Sequence, residues 1–180
     1  MQFEEVVPKN VKIAIGIQKE IFPLEIGAED LREASQGICP NHQFLQKYWL
    51  ANSNDEYIGI VGLYAYKDYP KDAWLGWFGV VEEYRNKGFA KQIMSFIMNK
   101  ALQMGFDNLR LFTDEEDNLI ATKFYEKLGM RKEEYINNED THFEIGKTLI
   151  YSISLTGKQV NLWNNKNLFL NSHEQKNLKK

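Results

Sequence analysis

AWLGWFGVVEEYRNKGFAKQ (residues 73–92) runs an apolar segment into a charged loop and then into a second apolar pattern. Residues 73–81 read as a strand, with Trp74, Gly76, Phe78 and Val80 expected on one face and Leu75, Trp77, Gly79 and Val81 on the other. Two glycines inside a strand weaken it, and they mark a bulge or the close approach of another group to the backbone. After the loop, Ile93, Met94, Ile97, Met98, Ala101 and Leu102 form a helical stripe that Gly105 is placed to stop. Between the two lies Arg85-Asn86-Lys87-Gly88-Phe89-Ala90. A helix start exposes unpaired N–H groups and the positive end of the macrodipole, and glycine there lets backbone approach an anion closely. Taken alone, R-x-x-G-x-A is also compatible with an ordinary strand-to-helix turn. Neither G-x-x-x-x-G-K-[ST] nor G-x-G-x-x-G is present, so the two common nucleotide loops are excluded.

Outward from this centre the pattern is mixed. QFEEVV (2–7) is a short strand candidate, and Asn10 is placed to cap a helix with Val11, Ala14, Ile15, Ile17, Gln18 and Ile21 at helical spacing. GAEDLREAS (27–35) reads as a second helix inside a punctuated segment, 22–43, expected on the substrate side. KYWLAN and EYIGIVGLYAYK are strands joined by the polar turn NSND. NLRLFT (108–113) is another strand. A helix follows, with Ile120, Ala121, Phe124, Tyr125 and Leu128 on one face and Gly129 at its end. RKEEYI and TLIYSISL close the series. The order predicts an α/β protein of the α+β kind: one sheet covered by helices.

At 180 residues with 43% hydrophobic and 26% charged content, one domain with a proper core is expected, and no apolar run reaches bilayer length. A single cysteine, Cys39, rules out an intramolecular disulfide framework; with no signal-peptide pattern at the start, the expectation is a cytoplasmic protein and no membrane association. From Thr156 onward five lysines and one acid give +4, which leaves −7 on residues 1–155. An acidic body suits a cationic partner and argues against nucleic acid, although it is equally the mark of an ordinary solvated surface. The division expected is a body at 1–155 and a basic, asparagine-rich tail at 156–180. The tail's Val160, Leu162, Trp163, Leu168, Phe169 and Leu170 suggest an arm that docks on the body or on a second subunit, so a homodimer is one expectation.

The loop does not stand alone. R-N-K-G-F-A after F-G-V-V-E-E-Y resembles the [QR]-x-x-G-x-[GA] pyrophosphate motif of the GNAT family of N-acetyltransferases. NLIATKFYEKLGM (118–130) resembles that family's next element, N-x-x-A-x-x-F-Y-x-K-x-G-F. The departures are Glu82 where the family often has proline, and Met130 for the final phenylalanine. The resemblance covers about residues 2–155. It implies an acyl-CoA N-acyltransferase fold: a mixed, mostly antiparallel central sheet whose parallel fourth and fifth strands splay apart, flanked by helices. It implies acetyl-CoA as co-substrate, contacted by Phe78, Gly79 and Val80 along the strand, by Arg85, Asn86, Lys87, Gly88, Phe89 and Ala90 in the loop, and by Asn118.

The implied reaction is direct attack of a primary amine on the thioester, with Tyr125 beside the sulfur. An alkyl amine with pKa near 10.4 costs about 4.6 kcal/mol to deprotonate at neutral pH, so a base is useful. Asp114, at the end of the second splayed strand, is the candidate base, although it could equally cap or solvate the next helix. Glu25, Glu29 and Trp77 are candidates for holding a cationic substrate, with Trp74, Tyr64 and Tyr66 as further aromatic candidates. His42 and His142 lie in candidate substrate loops. Cys39 has no activating neighbour in view, and no spacing suggests a metal. The expected enzyme is therefore an acetyl-CoA-dependent N-acetyltransferase acting on a small cationic amine, of metabolite or antibiotic type. The alternatives are a protein N-terminal or lysine acetyltransferase and a non-catalytic acyl-CoA sensor.

Overall fold

Asn54 and Asp55 both take positive φ (54° and 65°), the geometry of the two-residue hairpin turn that matches strand twist. They turn β2 (Gln43–Ser53) into β3 (Glu56–Tyr66), and Ser53 pairs with Glu56 across the turn. The computed structural model describes residues 1–114, 119–135 and 148–164. The remaining strands are β1 (Gln2–Glu5), β4 (Asp72–Val80), β5 (Asn108–Asp114), β6 (Arg131–Tyr135) and β7 (Thr148–Ser154). They form one sheet in the order β1-β2-β3-β4-β5-β7-β6. Every pairing is antiparallel except β4 with β5. The parallel pair needs a crossover, and α3 (Phe89–Gln103) supplies it.

One face of the sheet is covered by α3 and α4 (Leu119–Lys127), with Ile93, Met94, Ile97, Ala101 and Tyr125 packed on Val61, Leu63, Leu75 and Leu111. The other carries α1 (Val11–Ile21) and α2 (Ala28–Ser35), with Ala14, Leu31 and Ala34 against Tyr48, Leu50 and Ile60. Asn10 does stand at the start of α1, but its side chain does not cap the helix. It turns back, accepting from Val7 N–H (2.8 Å) and donating to Glu4 (2.9 Å) and to the Glu5 carbonyl (3.0 Å), so it ties β1 to the helix. Two residues of the expected stripes face solvent: Leu102 is 44% and Ile120 is 89% exposed, Ile120 because it sits in the first turn of α4, beyond the core.

The simple alternation expected along 73–81 fails. Gly79 pairs with Ile60 and Gly76 with Gly62, three steps on β4 against two on β3. The extra residue is a bulge, and it turns β4 over. Before it, Leu75 faces α3 and α4 while Trp74 faces away; after it, Phe78 and Val80 face α3 and α4. Trp77 absorbs the kink with φ 26°, a region that L side chains rarely adopt.

The tail begins docked. Val160 is buried and Trp163 fully so, packed edge to face on Trp74 (5.0 Å) and Tyr69 (4.5 Å). Glu133 on β6 accepts the backbone N–H groups of Trp163 (2.5 Å) and Asn164 (2.8 Å). Arg131 and Arg110 donate to the Val160 and Asn161 carbonyls, each at 3.0 Å.

Candidate active site

β4 and β5 hold together for three rungs only, Asp72 with Asn108, Ala73 with Leu109 and Trp74 with Arg110. Beyond the bulge β4 continues to pair with β3 but no longer with β5, so a gap opens from residue 75. The polarity of its wall follows from strand alternation. Val81 N–H donates to Ile58 on β3 (2.9 Å), so Val80 and Phe78 turn their peptide groups toward the gap. Gly79 turns the other way, its carbonyl lying 2.6 Å from where a Cβ of Gly59 would stand. Gly79 is glycine for a different neighbour: a Cβ there would come within 2.4 Å of Ile21 Cγ2 and 3.1 Å of the Phe22 ring at the end of α1.

At the upper end of the gap the chain makes a single 3-10 turn, Glu82–Tyr84, and then the loop. Asn86 (φ 60°) and Gly88 (φ 82°) are both left-handed, which curls the backbone before α3 starts. The first helical hydrogen bond is Gln92 N–H to the Gly88 carbonyl (3.4 Å), so the N–H groups of Phe89, Ala90 and Lys91 precede it. Nothing lies within 4 Å of a Cβ built on Gly88, so the approach to those donors is open. Arg85 Nε donates to the Val80 carbonyl (3.0 Å), which ties the loop to the wall of the gap while the residue stays exposed. Lys87 Nζ lies 5.3 Å over the Tyr84 ring, whose hydroxyl donates to Glu56. Free N–H donors and the helix dipole lie on the open side of Gly88, with the exposed Arg85 and Lys87 in the same loop, and these residues fit a diphosphate.

Tyr125 sits on α4 beside the opposite wall of the gap. Its ring contacts Phe78 (6.4 Å), Phe124 (5.7 Å) and Tyr151 (5.4 Å), and it is 6% exposed. Burial first, and the neighbouring Tyr151 second, push its phenol well above the usual value, so it stays protonated. Its hydroxyl makes no hydrogen bond to a described residue. Phe78, Tyr125 and the Arg85–Ala90 loop are therefore brought to one cleft.

The other candidates divide. Trp77 is half-buried on the α1/α2 side, its indole N–H donating to Asp30 (3.3 Å) and its ring 5.2 Å from Phe22. Tyr64 is half-buried on the same side, whereas Trp74 and Tyr66 are buried in one cluster with Trp163. Glu25 and Glu29 are exposed, Glu29 in the first turn of α2. Asp114 ends β5, paired with Thr148, but its side chain lies outside the described residues, as do Asn118 and His142. His42 stacks on Tyr66 (5.6 Å), and burial lowers its pKa. Burial raises the pKa of the Cys39 thiol, which disfavours the thiolate a nucleophile needs. Among the described residues no group of three or more His, Cys, Asp or Glu side chains is arranged to hold a metal ion, and no helix is long and apolar enough to cross a membrane.

Sequence reading missed Asp30, Tyr48 and Gln46, which share the α2-facing side of the bulge. The available signal was the paired glycines 62 and 76, which stand opposite one another on β3 and β4.

The splayed parallel pair, the loop before α3 and the tyrosine stand where the resemblance in sequence implied them, and the comparisons show the family. The model of the Acetyltransferase (GNAT) family matches residues 17–130, and the chain belongs to that family. It is similar to an uncharacterized N-acetyltransferase, YdgE, of Bacillus subtilis (strain 168), 26% identical over 133 residues, which covers 72% of this chain and 80% of the relative. Its fold is similar to that of a GNAT family acetyltransferase from Elizabethkingia anophelis with acetyl-CoA bound: TM-score 0.64, 16% identity, 85% of this chain and 97% of that one. It is also similar to that of a chimera of the spermidine N-acetyltransferase SpeG from Vibrio cholerae and hSSAT: TM-score 0.67, 16% identity, 87% and 97%. The protein is an acetyl-CoA-dependent N-acetyltransferase.

Proposed function

We propose that the enzyme transfers acetyl directly to a primary amine on a small cationic molecule. The observation that carries this reading is the gap between β4 and β5, walled by the peptide groups of Phe78 and Val80, with an anion loop at one end and Tyr125 at its side. Acetyl-CoA would supply the activated thioester: the amine nitrogen bonds the acyl carbon, the carbon–sulfur bond breaks, and coenzyme A leaves as a thiolate. The Phe89, Ala90 and Lys91 N–H groups, with Arg85 and Lys87, hold the diphosphate. An N–H on the Phe78–Val80 wall faces the developing oxyanion, where fixed donors act most strongly. The Val80 carbonyl is occupied by Arg85, which keeps that wall rigid.

Tyr125 holds its proton against the leaving sulfur. A phenol near pKa 10 is a weaker acid than a thiol near 8.5, so outright transfer is uphill by about 2 kcal/mol on reference values, and burial steepens it. Its role is accordingly a hydrogen bond to the thiolate, with the proton delivered late. The amine enters from the α1/α2 side, because α3 and α4 fill the other face. Asp114, which ends β5 on the open side of the pair, is the base proposed on sequence grounds; the resemblance assigns Asn118 to the pantetheine, and the exposed Glu25 and Glu29 are assigned to the cationic substrate. A homodimer, an exclusively small-molecule partner and the separation of 156–180 as a tail belong to the same proposal.

The test is a panel of primary amines, including a lysine peptide, incubated with acetyl-CoA while free thiol is read. Turnover on small cations and none on the peptide is expected. Turnover confined to the peptide overturns the substrate class, and no turnover on any amine despite acetyl-CoA binding overturns the catalytic reading.

A further inference from the structure

On the face opposite α3 and α4, one tyrosine lies along the sheet instead of standing up from it. A Cβ on Gly62 would fall 2.3 Å from Tyr48 Cε1, so the ring passes directly over that glycine. It reaches the bulge: a Cβ on Gly76 would stand 3.4 Å from Tyr48 Cε1 and hydroxyl, and 3.5 Å from Tyr64 Cδ1. Paired glycines on neighbouring strands thus let a residue of β2 deliver its phenol to the edge of the gap. Gln46 Nε2 donates to that phenol (3.3 Å), while Gln46 Oε1, on a residue 7% exposed, has no donor. A buried carbonyl left unpaired costs about 1–3 kcal/mol, a penalty an N–H donor from outside would remove.

Asp30 on α2 adds a carboxylate beside the bulge through its bond to Trp77. Its charge also reaches Tyr48, whose phenol is pushed up mainly by burial and further by Asp30. A carboxylate, an unfilled carbonyl and half-buried aromatic rings on one wall are complementary to an organic ammonium.

The geometry points to a recognition site in which Asp30, Gln46 and Tyr48 hold a second, non-reacting ammonium of the acceptor, so that the substrate is an aliphatic diamine or polyamine. The assignment of charge follows from the chemistry. An ammonium beside a carboxylate is held protonated and is no nucleophile. The amine that reacts is therefore the other one, reaching the gap past Gly76 and Trp77. This inference rests on the proposed amine acetylation and adds to it which amines are preferred and which residues choose them.

The experiment compares kcat/KM for 1,4-diaminobutane and n-butylamine at saturating acetyl-CoA. The wild type is expected to prefer the diamine at least tenfold, and Asp30→Asn to bring the ratio to about one, mostly through KM for the diamine. Gly76→Ala is the second variant: its methyl meets Tyr48 and Tyr64 at ordinary contact distance, so the fold should hold while the floor is raised, and KM for the diamine should rise severalfold. Calorimetry with acetyl-CoA accompanies each variant. Equal rates for the two amines in the wild type, or a preference that survives Asp30→Asn, overturns the site. So does intact acetyl-CoA binding with neither amine turned over. Failure of the wild type to bind acetyl-CoA would instead overturn the transferase reading underneath it.

Discussion

The two ends of the β4/β5 pair are built from opposite materials. At the closed end, Arg110 is 3% exposed in its side chain and lies 3.2 Å from Asp72 in an ion pair set off the hydrogen-bond axis. It donates to Ser152 (2.8 Å), and the Trp163 ring lies 5.3 Å from its guanidinium carbon. Asn108 donates to the other Asp72 oxygen (2.8 Å). At the open end, Gly76, Trp77, Phe78 and Gly79 are all half-exposed, and their wall has no partner strand. A sheet tolerates an unpaired stretch in its middle only when something else holds the two strands in register. Here the clamp is a residue from beyond the last strand. The buried ion pair and its packing lie below Trp74, and the unpaired wall to which the proposed function assigns binding lies above it.

Trp163→Ala breaks that clamp and carries the largest expected effect. Truncating a fully buried tryptophan costs about 3–5 kcal/mol, read as a lower denaturant midpoint in chemical unfolding. If the two ends are separate, the added stability conferred by saturating acetyl-CoA should be the same in variant and wild type. A parallel loss of acetyl-CoA affinity would show that the clamp also sets the width of the gap, and the comparison would fail.

The next effect belongs to the open end. Reversing Arg85 and Lys87 to glutamate removes two charge-assisted contacts, each worth about 1.5–3 kcal/mol, and adds repulsion. Acetyl-CoA affinity should fall by about 100-fold or more, with the unfolding midpoint nearly unchanged because both residues are exposed. Calorimetry and chemical denaturation on the same sample read both quantities. An unchanged affinity would remove the loop from the binding site.

How much of this was legible follows the same division. The turn at 85–90 was readable because a left-handed glycine directly before a helical stripe is a local pattern, and the structure has Gly88 at φ 82° before α3. The splay was available only through resemblance, since nothing local in NLRLFT says which strand it leaves. The bulge was half legible: Gly76 and Gly79 announced an irregularity, but alternation assigned the wrong faces because one inserted residue flips every side chain after it. Gly79 itself proved to answer α1, a contact 58 residues away in sequence from Ile21. Trp163 was seen as apolar, yet its partners Trp74, Tyr69 and Glu133 come from three separate elements, and such packing leaves no periodic trace. Asp30 and Tyr48 went unread for the same reason.

The smallest effect tests where the ends meet in chemistry. Tyr125→Phe removes one hydroxyl and leaves the ring packing on Phe78 and Tyr151 in place, so stability and acetyl-CoA affinity should change little. If the hydroxyl serves the leaving sulfur, kcat should fall about tenfold, equivalent to one hydrogen bond of about 1.4 kcal/mol to a charged group. The sign of the pH dependence follows from burial. The folded phenol binds its proton more tightly than a free one, so its ionisation lies above the ordinary value near 10. The ratio of wild-type to variant kcat should accordingly stay flat from pH 6 to pH 9.5. A ratio that falls toward one near pH 8 would mean that Tyr125 ionises where a desolvated phenol cannot, and would move the role to a different group.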